Sequence, residues 1–495
     1  MFTELFIFEI ANNHQGDVRH GLRIIAAVGQ IARKHAIRGG VKFQYRDLDT
    51  FIHPEYKTRS DVKHIARFLR TSLTEQEFCA LRDAVRAERL IAICTPFDEV
   101  SVKKCGEHGF DILKVGSCSA DDWPLLEAVA DAGKPVIVST GGLTLQSTDK
   151  VVNFLTHRAV RFALMHCVGI YPTPPEQLQL NVISRLRRRY PFIPVGYSGH
   201  EVPTDVSVVQ IAVAKGATLL ERHVGIPIEH EPLNQYSMDP AETERWVEAA
   251  LRAKSMCGDE RDKTVSQEET QSLMSLRRGV YARGTIPSGR AIRREDVYFA
   301  MPCREGQSTS SEFGRYTASF VASRDYEADE AICETSPEDL VARVRSVIHE
   351  AKAMLFEAQI ALGPEPEVEL SHHYGMESFR EYGAIIVNGV NREYCKKLLI
   401  MLPGQKHPNH YHNQKEETFE LLWGHLEITV SGETTTMVPG GRVLVPRAAR
   451  HSFRSVSGAI IEEISTTHRK GDSLYEDERI RTLDPIRRKT VLDSW

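Results

Sequence analysis

From residue 5 to about residue 257 the chain alternates short, near-continuous apolar runs with amphipathic stretches, eight times over. The runs are Leu5–Ala11, Gly40–Tyr45, Leu90–Thr95, Ile112–Ser117, Pro135–Thr140, Phe162–Cys167, Pro194–His200 and Leu219–Val224. Strands apolar on both faces belong to a parallel sheet wrapped by helices. Stretches such as Glu75–Arg89, Asp122–Ala132 and Asp205–Gly216 supply the helices. Eight such units in roughly 250 residues close into a (β/α)8 TIM barrel rather than an open sheet. Active sites of that fold gather at the carboxyl ends of the strands. The candidates there are Glu9, Lys42, Gln44, Thr95, Phe97, Lys114, Ser117, Ser139, His166, Tyr171, Ser198, His200 and His223.

At 495 residues the chain is too long for one core, and its length suggests about three domains. A net charge of −5 with 26% charged residues gives no reason to expect a nucleic acid or an acidic membrane as partner. The apolar runs fall short of the roughly 18 residues that span a bilayer. The N-terminal Met1-Phe2-Thr3-Glu4 lacks a basic leader, so no signal peptide is expected. Nine cysteines without a CxxC pair read as reduced thiols of a cytoplasmic protein.

Beyond a barrel domain at 1–258, a charged stretch from Gly258 to Gln271 leads to a compact segment at 277–336. Short strands around Arg277–Ala282 and the turn Ile286-Pro287-Ser288-Gly289 make it too small for an active site of its own, and suited to a lid. A helix over Pro337–Leu362 follows, apolar at Leu340, Val341, Val344, Val347 and Ile348, within a helical linker at 337–365. Gly363-Pro364-Glu365-Pro366-Glu367 breaks it. The remainder, 366–495, alternates like half-buried antiparallel strands, as in Leu426, Ile428 and Val430, and reads as a small β-barrel or jelly roll.

His200 and His223 each end a strand, and the strand–helix–strand unit between them makes those strands parallel neighbours about 4.8 Å apart. Two imidazoles so placed can share a metal with open positions, a Lewis acid for a carbonyl; the alternative is a loop hydrogen bond from each. Lysines ending buried strands are costly unless they face an anion. Lys42 and Lys114, with Ser117, Ser139 and Ser198, can bind a phosphate, although each serine alone reads equally as a turn residue. Glu9 adds a carboxylate as base, water positioner or ligand.

These residues in this order resemble the sialic acid synthase family, the phosphoenolpyruvate-dependent nonulosonate synthases. The resemblance runs through Glu9-Ile10 with Asn13-His14-Gln15-Gly16, Val41-Lys42-Phe43-Gln44, Thr95-Pro96-Phe97 and Lys114-Val115-Gly116-Ser117. It continues in Ser139-Thr140-Gly141, His166-Cys167 with Tyr171-Pro172, Ser198 with His200, and Glu221-Arg222-His223. It covers about the first 336 residues, and the 277–336 segment resembles the family's antifreeze-like (β-clip) domain. The resemblance implies a metal on His200 and His223, manganese foremost and magnesium or cobalt as alternatives. It implies phosphoenolpyruvate held by Lys42, Lys114, Ser117, Ser139 and Ser198, with Thr95, Phe97 and Tyr171 beside it. It further implies a homodimer in which the antifreeze-like domain caps the partner's barrel. The product would be a nonulosonic or related 3-deoxy ulosonic acid for surface polysaccharide.

Departures from the family pattern cluster. Cys118-Ser119 stand where an acid usually follows the serine by two, and Gly169 replaces an asparagine. Glu231-Pro232-Leu233-Asn234 lacks the usual acid, and Met301-Pro302-Cys303 replaces Arg-Pro-Gly, leaving Arg304 nearby. In the family these positions face the acceptor sugar, so the phosphoenolpyruvate half is expected to be retained and the sugar half changed. Gln44, Ser119, Asn234, Arg304 and Lys415 are the candidate sugar contacts.

In the C-terminal part, His410 and His412 alternate on one strand and point to one face, with Glu417 following and His451 ending a later Gly-rich turn. Three imidazoles and a carboxylate suit a mid-row divalent metal such as zinc, manganese, iron or nickel. This resembles the cupin superfamily. The pattern His-x-His-x-x-Lys-x-Glu, with Lys415, is most similar to cupins of the D-lyxose isomerase type. A cupin kept only for folding or dimerisation is the alternative to metal binding. A second function class follows, in which this domain is a sugar isomerase or sensor and the barrel is inactive. His372 and His373 could line this barrel, with a surface pair as the favoured expectation, and Arg479 to Lys489 read as a solvated face.

Overall fold

The computed structural model describes the chain except residues 60, 63, 230–231, 259–262, 314–319, 336–339, 364–365 and 493–495, and the side chains of 485–486. Glu231, the junction at 336–337 and the Pro364-Glu365 break therefore lie outside the described residues. The chain divides into two compact units, Met1–Lys263 and Thr264–Trp495.

In the first unit β1 (Leu5–Glu9), β2 (Arg38–Tyr45), β3 (Ile91–Pro96), β4 (Ile112–Val115), β5 (Val136–Ser139), β6 (Phe162–Cys167), β7 (Val195–Gly199) and β8 (Leu219–His223) pair in chain order, and β1 closes on β8. All eight expected strands are present, their ends moved by a residue or two. Helices begin at defined caps: Thr74 and Glu77 form a reciprocal capping box before Glu75–Ala87, as do Asp239 and Glu242 before Pro240–Cys257. Outward side chains such as Phe8, Val41, Phe43 and Leu113 join the helices in one core. The inward side chains divide in two. Leu5, Ile7, Ile93, Ile112, Ile137, Met165 and Leu219 fill the amino-terminal half of the barrel with apolar volume. Continuing along the same inward faces, Glu9, Thr95, Lys114, Ser139 and Glu221 are polar and buried. Polarity is confined to the carboxyl mouth, which is where this fold does its chemistry.

In the second unit, Gly279–Ala282 pairs with Val297–Ala300 and Ala291–Ile292 with Phe320–Val321, around a small core of Val280, Ile286, Val297, Phe320 and Ile332. The helix expected as a linker spans Leu340–Glu357 and does more than connect. Its Val347, Ile348, Ala351, Met354 and Leu355 share a core with Val368, Leu370, Ile385 and Ile400 of the following sheet. Two antiparallel sheets complete the unit, of seven and five strands. The seven-stranded sheet includes Glu417–Gly424, Ala459–Thr466 and Tyr394–Met401; the five-stranded sheet includes Lys406–His412, His451–Arg454 and Ser473–Tyr475. This is the expected jelly roll. Among the described residues, no helix is long and apolar enough to cross a membrane.

Candidate active site and metal centre

Register brings the barrel's polar residues together. Glu9 lies opposite both Lys42 and His223, and Ser198 lies opposite Glu221. Lys42 is ion-paired to Glu9 and donates to Glu221 at 2.9 Å. Lys114 donates to both oxygens of Glu221 at 3.1 and 3.2 Å, and the Ser198 hydroxyl donates to it at 2.8 Å. Two lysines and two carboxylates thus form one buried, electrically balanced row. Burial pushes the Glu221 carboxyl up, but the Lys114 and Lys42 ammonium groups overcome that and hold it below the usual range. Burial brings Lys42 down to about 8, with Lys114 adding to the effect and Glu221 opposing it. Two inward lysines alone predict an external anion; the structure supplies internal ones. Glu221 is the residue missed, although its position two before His223 on one strand places both on the same face.

At the rim, the His200 and His223 rings lie 5.4 Å apart, centroid to centroid. His200 Nδ1 donates to the Val168 carbonyl at 3.0 Å, which leaves Nε2 with its lone pair. Burial lowers the His200 pKa to about 4 and that of His223 well below the ordinary value, so both imidazoles are neutral donors at pH 7. Tyr171 packs on His200 at 4.3 Å, and Tyr236 approaches His223 at 5.1 Å. Tyr236 is held by Asn234, whose Oδ1 accepts from its backbone N–H at 3.2 Å, and by Arg222, which donates to its carbonyl at 3.3 Å. Arg222 is itself buried and paired to Glu201. The two neutral donors fit a divalent cation that keeps open positions.

Thr95 Oγ1 and Ser117 Oγ are buried without a hydrogen-bond partner among the described residues. Ser117 sits so close to the next turn that a Cβ at Gly141 would lie 2.5 Å from its Oγ. Ser139 and Ser119 are buried, while Tyr171 is about half exposed. Gln44 donates to Glu9 at 3.4 Å and accepts from Arg46 at 3.1 Å, and Phe97 lies under the Arg46 guanidinium. His166 does not join them. It points outward from β6, opposite in parity to Met165 and Cys167, and its ring bonds the Leu178 carbonyl at 2.7 Å. Arg304 and Lys415 belong to the second unit.

The second unit holds its own cluster. The nitrogens of His410, His412 and His451 converge within 4.8 Å of one another. Glu417 places one oxygen 3.4 Å from His412 Nε2 and the other 3.1 Å from His451 Nε2. Each imidazole directs Nδ1 to a backbone carbonyl, of Pro408, Asp472 and Ala449 respectively, so each Nε2 is free to face inward. His412 Nε2, His451 Nε2 and Glu417 Oε2 are buried without hydrogen-bond partners. Four converging donors, three of them with an unpartnered buried atom, fit a divalent cation well. Lys415 pairs with Glu417 and with buried Glu463 at 3.0 Å.

The expected surface pair is a correction: His372 and His373 are 8% and 1% exposed. His373 packs edge-on against His407 at 4.5 Å, and His407 in turn lies 4.7 Å from His410. A bulge between His407 and His410 inserts one extra residue, so residues three apart both face inward. Simple alternation could not show that. The solvated stretch is also corrected in part, because Arg488 lies over the Tyr475 ring at 5.2 Å.

Burial lowers His14 to about 4 and His407 to about 3, against 6.5 when unfolded. Between those values the unfolded chain binds the extra protons, so stability rises with pH. Taking metal-free protein from pH 7 to pH 5 should weaken each unit by roughly 2 kcal/mol per such histidine. Urea midpoints at the two pH values check this, and equal midpoints would refute it.

A closed β/α barrel with a charged, buried mouth, joined to a jelly roll with a four-donor cluster, defines a TIM-barrel enzyme carrying a cupin. Residues 32–262 match the NeuB family and residues 397–467 the cupin domain family. A crystal structure assigned to spore coat polysaccharide biosynthesis protein E from Chromobacterium violaceum is 44% identical with a TM-score of 0.65, covering 66% of this chain and 98% of that one. The human N-acetylneuraminate-9-phosphate synthase is 28% identical over 57% of this chain and 79% of its own length. The N,N'-diacetyllegionaminic acid synthase of Legionella pneumophila is 26% identical, over 61% and 86%. The chain belongs to the NeuB, or sialic acid synthase, family, with a cupin domain at its C-terminal end.

Proposed function

We propose that the barrel condenses phosphoenolpyruvate with an open-chain aldose, an N-acylhexosamine or an altered sugar, to give a nonulosonic or related 3-deoxy ulosonic acid and phosphate. The product would serve surface polysaccharide synthesis. The observation that carries this reading is the buried row Glu9–Lys42–Glu221–Lys114 beside two neutral histidines. Lys42 and Lys114 offer the phosphate two ammonium groups, and Thr95, Ser117, Ser139 and Ser198 offer hydroxyls. A divalent cation on His200 and His223, manganese foremost and magnesium or cobalt as alternatives, would supply Lewis acidity to the aldehyde oxygen. C3 of phosphoenolpyruvate bonds to the aldehyde carbon, whose oxygen takes a proton; water adds at C2, and the C2–O bond to phosphate breaks, leaving the ketone. Glu9, beside Lys42, is placed to orient that water and accept its proton. Tyr171 and Tyr236 shield the histidines from solvent. The nine unpaired cysteines suit a cytoplasmic enzyme.

The resemblance of 277–336 to an antifreeze-like domain supports a homodimer in which that segment of one subunit covers the other's barrel. Phosphate release from phosphoenolpyruvate, with manganese and a panel of aldoses, tests the reaction. Because the acceptor-facing positions depart from the family pattern, N-acetylmannosamine should be a poor acceptor. Turnover with it equal to the best aldose would overturn that expectation.

The cupin supports a second reading, favoured by the buried Lys415–Glu463 pair beside the donor cluster. It would bind zinc, manganese, iron or nickel on His410, His412, Glu417 and His451 and act as a sugar isomerase or sensor. His410→Ala should then lose about one equivalent of bound metal per chain, measured by elemental analysis. Unchanged metal content would remove the cupin site.

A further inference from the structure

Lys397 is a buried cation that neither reading above uses. On the strand Tyr394–Met401 it alternates with Leu399 and Met401, which share a core with Phe419, Ile461 and Phe453 between the two sheets of the jelly roll. Lys397 therefore points inward, and it is 7% exposed. Register sets it directly opposite Glu463. Glu463 is already engaged, because its Oε1 accepts from Lys415 Nζ at 3.0 Å and from the Ser465 hydroxyl at 2.8 Å. Lys415 pairs in turn with Glu417, whose oxygens face His412 and His451. Burial pushes the Glu463 carboxyl up, but Lys415 and then Lys397 hold it below its ordinary value, so the Lys397 charge is felt at this cluster. Among the described residues, however, the Lys397 ammonium makes no hydrogen bond and no ion pair.

On the other side of the donor cluster, His373 and His407 are buried and each carries an unpartnered Nδ1. His407 packs on His410 at 4.7 Å, and Tyr475 stacks on His410 at 5.3 Å. The charges of this lining cancel. Lys397 and Lys415 balance Glu417 and Glu463, and Lys489 pairs with Glu369 at 2.8 Å. Arg488, over the Tyr475 ring, offsets Asp472 behind His412. A divalent cation on the three histidines and Glu417 therefore adds two positive charges that no described group neutralises. In a low-dielectric interior that excess favours an anionic ligand over a neutral one.

We propose that the cupin domain takes a polyhydroxylated anion, a sugar derivative bearing a carboxylate or phosphate, with the acidic group on Lys397 and the hydroxyls toward the donor cluster and the His373–His407 pair. An ammonium is a point charge with three donors and serves either acid. Lys415 is committed to two carboxylates, which leaves Lys397 as the lysine of this lining with donors to give. The inference deepens the cupin reading and rests on it, so metal content is measured beside ligand binding.

Calorimetric titration of the full-length, metal-loaded protein with hexonate, hexitol 6-phosphate and neutral hexitol tests this without turnover. At least one of the anions should bind about 30-fold or more tighter than the neutral hexitol, the scale of a hydrogen bond to a charged group. Tighter binding of hexonate assigns a carboxylate, and tighter binding of hexitol 6-phosphate assigns a phosphate. Lys397→Met should cut the preference to about threefold or less, and Lys397→Arg should recover part of it. An anion held by the barrel lysines instead would keep its affinity in both variants. Metal content, by elemental analysis, and the urea midpoint of the second unit should be unchanged in Lys397→Met, because no ion pair is lost. Equal binding of the three probes, or a preference that survives Lys397→Met, would overturn the proposal. So would a lower midpoint with the preference intact, which would make Lys397 a structural partner of Glu463. If the wild-type cupin holds no metal yet the preference depends on Lys397, the receptor stands and the metal-based cupin reading fails.

Discussion

His200→Ala should lower phosphate release from phosphoenolpyruvate by about 10³-fold or more, at saturating manganese and with the best aldose. His200 and His223 are the neutral donors beside the balanced row of lysines and carboxylates. A metal that polarises a carbonyl contributes several kcal/mol to the barrier, and about 4 kcal/mol corresponds to that factor. His223→Ala should match it, and the double variant should be no worse than either single one, because one ion needs both. Circular dichroism guards against unfolding. Cupin metal content, unchanged in these variants, confirms that the second unit is intact. Full turnover in the double variant would refute the barrel mechanism.

Glu221→Leu should be the most destabilising single change at the barrel mouth. It leaves Lys114 without a carboxylate and Lys42 with only Glu9, in a region where all four groups are at most 5% exposed. Breaking a buried pair by removing one partner costs about 3–5 kcal/mol, because the remaining charge stays desolvated. Hydrogen exchange of β1 and β8 amides in urea reads this within the barrel alone. Adding Lys114→Met should recover most of the stability but none of the phosphate release, separating the electrostatic role of Glu221 from any role in chemistry. A loss below about 1 kcal/mol would mean that water or a rearranged Glu9 replaces the missing charge.

The readable parts of the sequence were those governed by local pattern. Eight apolar runs at β/α spacing pointed to the barrel, because strands buried on both faces belong to a helix-wrapped parallel sheet and eight units in roughly 250 residues match its closed form. His410 and His412 were readable for the same reason, since alternation alone puts residues two apart on one face. His407 was not, because a bulge changes the count of residues between it and His410. His373 was read as surface because adjacency of two histidines says nothing about which sheet covers them. The lysines show a subtler limit. Their inward placement followed from strand parity, and their need for an anion followed from desolvation. That the anions are Glu9 and Glu221 required the closure of β1 on β8 and the pairing of β7 with β8. His166, at a strand end like His200, was a fair candidate until parity turned it toward the helices.

By itself the sequence determined the architecture, a β/α barrel followed by a short segment of small strands and a jelly roll, and it supplied the candidate groups for binding metal or phosphate. Those are properties of periodicity and side-chain chemistry, which travel with the chain. Only the tertiary structure decided how the charges are shared: Lys42 is paired with Glu9 and Glu221, and Lys114 with Glu221. Charge balance in a low-dielectric interior depends on distances across strands far apart in sequence, and no local pattern encodes them.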